Sequence, residues 1–136
     1  MFKYVKYNKV QTEYTVLNFK GGTENLIVTE FSGIDENIVS ISCDDEDVID
    51  TLIDSQDSEI NCEVIEKDDF KTYVKYSDQI NRIRQRVKNK IAIKYDIADE
   101  IAISKLDNDN DKKKTYQNYV DECIDFGSKL KEEIGY

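Results

Sequence analysis

The chain has 136 residues, 39% hydrophobic and 35% charged, with a net charge of −10. That length suits one domain, or a small domain with a helical appendage, and the apolar content disfavours disorder. The negative total disfavours direct nucleic-acid binding through a whole-protein basic field, and no apolar run of ~18 residues exists to cross a membrane as a helix.

Phe2 to Tyr7 is a short aromatic strand candidate, and Glu13 to Phe19 is a second. Lys20-Gly21-Gly22-Thr23 supplies turn chemistry, because glycine takes positive φ without steric cost. Asn25 to Phe31 follows as a third strand, so the pair is expected to form an antiparallel hairpin. Ser32-Gly33 makes another turn. Asn37 to Cys43 is a fourth strand, with Ile38, Ser40 and Ser42 opposite Val39, Ile41 and Cys43. Asp44 to Ser55 reads as a short helix, capped by Asp44 or Asp45, with acids in its first turn and a stripe of Val48, Ile49, Leu52 and Ile53. Glu59 to Glu66 returns as a strand with Ile60, Cys62 and Val64 on one face. Phe70 to Tyr76 is rich in β-branched and aromatic residues and reads as extended chain.

The stretch Ser77 to Leu106 places Ile80, Ile83, Val87, Ile91, Tyr95, Ala98, Ala102 and Leu106 at steps of three and four, the period of one helix face. Neither Gly nor Pro interrupts it. A straight helix of this length would span roughly 45 Å, so a bend or a projecting end is expected. Asp107 to Asp111 breaks the pattern with turn-favouring residues. A final helix runs from about Lys112 to Ile134 on a stripe of Tyr116, Val120, Cys123, Gly127, Leu130 and Ile134. Gly127 lowers helix propensity by roughly 1 kcal/mol against Ala, which points to close approach of a neighbouring helix. The expected fold class is α+β. A β-rich N-terminal domain, residues 1–76, would hold a small, mainly antiparallel sheet and one short helix, and residues 77–136 would form an αα-hairpin.

Charge is unevenly spread. Asp35 to Asp69 holds fourteen acids against Lys67 alone, a net of −13. This is a solvated face, an acidic surface that docks a basic partner or imitates a phosphate backbone, or a partner for the chain's own basic helix. Lys75 to Lys94 holds seven basic residues against Asp78, a net of +6. From Ile91 to Ile103, apolar residues occur on more than one helix face, so one sheet and one helix do not suffice to cover them all. Arg82, Arg84, Arg86, Ile93, Ile97 and Ile101 are therefore candidate interaction residues. Tyr116 and Tyr119, one turn apart on the last helix, join them, because tyrosine combines a large ring with a tip that tolerates water.

Little points to catalysis. The chain has no His, which removes the commonest general base and the usual nucleophile triads. Cys43, Cys62 and Cys123 are scattered, too few for a four-thiolate zinc site, and are expected to be reduced in a cytoplasmic compartment. Asp107-x-Asp109-x-Asp111 begins like a calcium loop. However, the positions that need Gly and a bidentate Glu hold Lys112 and Asn118. Gly21-Gly22 lacks the rest of a phosphate loop. Asp44, Asp45 and Asp47 sit in an acidic run. The expectation is a protein that is not an enzyme, with no metal and no cofactor.

The C-terminal 60 residues, a charged Arg/Ile helix (NRIRQRVKNKIAIKYDIADEIAI), an Asp/Asn/Lys loop, then YQNYVDECIDFGSKLKEEIG, resemble the C-terminal helical segments of small bacteriophage proteins associated with tail and tail-fibre assembly. The resemblance covers under half the chain. It implies a non-enzymatic virion or tail-assembly role acting through protein–protein contacts. The partners would be other tail or virion chains or a second copy, with no membrane and no direct nucleic-acid contact. The location would be the host cytoplasm during assembly, with the virion as a second place. The alternative is an acidic inhibitor of a host nucleic-acid-binding defence protein, using the −13 segment.

Overall fold

The structure, a computed structural model, describes residues 1–8, 26–56 and 58–136. The expected strand Glu13–Phe19, the Gly21-Gly22 turn and hence the expected hairpin lie outside the described residues. The chain is α+β. Its described elements are β1 (Phe2–Tyr7), β2 (Ile27–Phe31), β3 (Asn37–Ser42), α1 (Glu46–Asp54), a 3₁₀ turn (Ser58–Ile60), β4 (Glu63–Ile65), α2 (Lys67–Val74), α3 (Asp78–Lys94), α4 (Ile97–Ser104) and α5 (Asp111–Glu133). They divide into two compact units, Met1–Ile80 with Ile134–Tyr136, and Asn81–Glu133.

In the first unit the four strands lie in the order β2-β3-β1-β4, every pair antiparallel. The register sets Val5 opposite Val39 and Tyr4 opposite Ser40, so alternate residues serve the two faces. On one face Val5, Tyr7, Val39, Ile41 and Cys43 pack with Ile49 of α1 and with Ile60. Lys3 points to the same side and pairs with Glu46 and Asp50 of α1. On the other face Tyr4 stacks on Phe70 at 4.1 Å between centroids, and Phe31 meets the Phe70 ring edge-on at 5.2 Å. Helices therefore cover both faces, which is why four consecutive residues of β3, Ile38 to Ile41, are buried where a one-sided sheet would alternate. Ser40 is buried among them and its hydroxyl donates to the Ile134 carbonyl at 2.8 Å. The Tyr4 hydroxyl donates to the Gly135 carbonyl at 2.7 Å, so the chain's last residues are fixed to this face.

Three local expectations are corrected. Phe70–Val74 is helical, not extended: α2 runs to Val74 and turns Phe70 and Val74 inward at helical spacing, and Ser77 is buried just beyond it. Burial of that stripe, with Asp68 and Asp69 in the favourable first turn, outweighs β propensity. The N-terminal unit thus carries a second helix. Glu59–Glu66 is a strand only over Glu63–Ile65; Ile60 is buried from a 3₁₀ turn, Asn61 takes φ 47°, and Val64 is exposed. Finally, Ser77–Leu106 is two helices, so the C-terminal region holds three helices in place of a two-helix hairpin. Asp96 Oδ1 accepts from the Asp99 amide at 2.7 Å, and Asp99 Oδ2 accepts from the Asp96 amide at 3.1 Å. This reciprocal cap starts α4 afresh after α3 ends at Lys94.

Candidate interaction surface

The second unit holds all the sequence-derived candidates. The α3 and α5 backbones come close at Gly127, which is buried; a Cβ there would collide with the Val87 Cγ2 methyl. Only glycine allows this approach. Beside it, Cys123 is fully buried, while Val87, Ile91 and Leu130 are half-buried. Asn110 Oδ1 accepts from the Lys112 amide at 2.9 Å and the Lys113 amide at 3.3 Å, capping α5. The Asp107–Asp111 segment thus acts as a turn and cap.

Tyr116 and Tyr119 face inward to Tyr95. Tyr116 meets it edge-on at 4.9 Å, and Tyr119 at 5.8 Å. The Tyr119 hydroxyl donates to the Lys90 carbonyl. Burial first, then a hydrogen bond with Glu100, pushes the Tyr116 phenol above its usual pKa. Part of the basic helix is spent inside the unit as well. The Arg86 guanidinium and the Lys90 ammonium lie over the Phe126 ring at 5.3 and 4.8 Å, and Lys94 lies over Tyr119 at 4.3 Å. Arg84 is half-buried and donates to Asn81 at 3.2 Å, while Arg82 is exposed.

The isoleucines separate from this seam. Ile93 is 81% exposed, Ile97 77% and Ile101 53%, whereas Ile103 is buried. Ala92, Ala98 and Ala102 are exposed beside them. The structure therefore leaves an open apolar strip, Ile97 and Ile101, on α4, with Ile93 open at the end of α3. It does not bring Arg82, Tyr116 or Tyr119 into one cluster with that strip. A groove of about 890 Å³ opens beside Ile97, lined from α3 by residues including Lys88 and Ala92, and from α4 and its cap by Asp96, Ile97 and Glu100. Periodicity alone assigns Ala98 and Ala102 to the inward stripe. The signal that reverses this is Asp96-x-x-Asp99, a capping pair that resets the helix phase.

Among the described residues, no group of three or more Cys, Asp or Glu is placed to hold a metal ion. No helix there is long and apolar enough to cross a membrane. In the acidic region, Lys6 pairs with Glu36 at 3.6 Å, and most of the other described carboxylates are exposed. No family model, no curated protein and no solved structure matches the chain.

Proposed function

We propose that the chain is a non-enzymatic bacteriophage virion or tail protein, or a tail-assembly protein, that works through protein–protein contacts. The observation that carries the reading is the open strip of Ile97 and Ile101, with Ile93 open at the end of α3, on a chain whose overall charge is strongly negative. Large apolar side chains gathered on one surface mark a contact site, because leaving them in water forgoes roughly 1.5–3 kcal/mol for each that burial would recover. The aromatic seam of Tyr95, Tyr116 and Tyr119 supports the reading indirectly, since it stiffens the helices that present the strip. The tail assignment draws on the resemblance of the last 60 residues. On this reading the protein works in the host cytoplasm during assembly, with the virion as a second place. Deleting the coding sequence from the genome that carries it should give particles with missing or incomplete tails. Normal, infectious tails from the deletion would sink the reading. The exposed carboxylates of residues 35–69 favour a second reading, an acidic inhibitor of a host nucleic-acid-binding protein. That reading requires a tight, salt-sensitive complex with a nuclease or similar binder, and normal tails without the protein.

A further inference from the structure

We infer that the groove on α3 and α4 is the seat of a second copy of this chain, forming a twofold dimer in which Ile97 and Ile101 on α4 of each copy pack against the α3 wall of the other. The inference rests on the contact-protein reading and names the partner. Three observations choose this occupant. First, ridge and groove belong to the same surface: Ile97 lines the groove, and Ile97 and Ile101 stand out from α4 beside it. A surface that carries both halves of the fit is self-complementary, as a twofold interface requires. Second, the two walls differ in sign. The α3 wall carries Lys88, and the α4 wall carries Asp96 and Glu100. A twofold axis running along the groove sets each basic wall against the acidic wall of the other copy, whereas a partner with a rim of one sign is repelled by one wall. Third, residues 81–133 hold twelve Lys and Arg against eleven Asp and Glu, although the chain as a whole is −10. Copies that meet through this unit bring together surfaces of almost no net charge, where most other pairings would oppose two acidic regions.

Sedimentation velocity on the full chain tests this. The wild type should show a monomer–dimer equilibrium between about 1 and 100 µM. Ile97→Glu with Ile101→Glu buries four carboxylates in the dimer and should raise its dissociation constant at least about 100-fold. Both side chains are exposed in the single chain, so circular dichroism should be unchanged. Lys88→Glu should weaken the dimer about threefold at low salt, and adding Glu100→Lys should recover part of that loss, because it sets a lysine against the new glutamate of the other copy. A wild type that stays monomeric over this range overturns the inference. So does a dimer that survives the double glutamate change, or an added Glu100→Lys that weakens the dimer further where it should recover affinity. The underlying reading fails separately. A monomeric wild type with defective tails on deletion overturns only the second copy, and places a different protein in the groove. A dimer with normal tails on deletion overturns only the tail role.

Discussion

Gly127→Ala sets two effects against each other at one position. Mid-helix alanine is favoured over glycine by about 1 kcal/mol, so propensity alone makes the change stabilising. The structure says the opposite. The added methyl would sit on Val87 Cγ2, with Ile83 Cγ2 3.9 Å from the same point. Val87 has little freedom to turn away, because a β-branched residue in a helix holds one χ1 rotamer. The helices must therefore move apart, and overpacking of this kind costs about 1–3 kcal/mol. The net expectation is a loss of about 1 kcal/mol. Val87→Ala removes the obstructing methyls, so the pair Gly127→Ala with Val87→Ala should be more stable than the sum of the single changes by at least about 1 kcal/mol. Urea denaturation followed by far-ultraviolet circular dichroism reads all four proteins. A Gly127→Ala protein that is more stable by about 1 kcal/mol, with additive behaviour in the pair, would show that α3 and α5 do not approach here.

Two further expectations concern the sheet. Phe70→Ala removes a fully buried ring that touches Tyr4 and Phe31, and should cost about 3–5 kcal/mol by the same denaturation assay; a loss under about 1 kcal/mol would show that α2 does not close this face. Burial, then a hydrogen bond from its hydroxyl to Glu30 at 2.9 Å, holds the Tyr7 phenol well above its usual 10.0. The unfolded chain therefore loses this proton first, so the contribution is fully present below about pH 10 and is lost as pH rises towards the folded value. Tyr7→Phe should flatten the fall of the urea midpoint above about pH 10, and an unchanged slope would count against a buried phenol.

The sheet strands β1 and β3 are legible in the sequence because aromatic and β-branched residues cluster there and sheet burial agrees with that propensity. Helix α1 is legible for a similar reason: Asp45 accepts from the Asp47 amide at 2.9 Å, and Ile49 turns inward as its stripe requires. Gly127 shows that a residue poor for local structure can identify a tertiary contact. Phe70-Lys71-Thr72-Tyr73-Val74 misleads because alternation and helical spacing share Phe70 and Val74. Only the position of the sheet face, unknown to local propensity, selects the helix. The candidate surface was half legible. An excess of apolar residues between Ile91 and Ile103 is visible in composition and period, but which of them stay in water depends on where a new helix begins.

That starting point is set by two aspartates. In an unbroken helix from Ser77 to Leu106, Ile93, Ile97 and Ile101 share one face, while Ala98 and Ala102 continue the inward stripe of Ile83, Val87 and Ile91. The Asp96–Asp99 cap ends that continuity and lets α4 take its own rotation. Ile103 is then the residue that α4 buries, and the two alanines emerge beside Ile97 and Ile101. The break leaves Ile97 and Ile101 together on an open face of α4. It widens it with small side chains that let another backbone come near. A chain selected only for stability would place polar residues there, since each of these positions is open to water and the helix needs none of them for its own packing. The cap gives the exposed strip a fixed start and a fixed phase, so that it is presented as a shaped ridge beside a groove. Such pre-set geometry reduces the ordering that association would otherwise require.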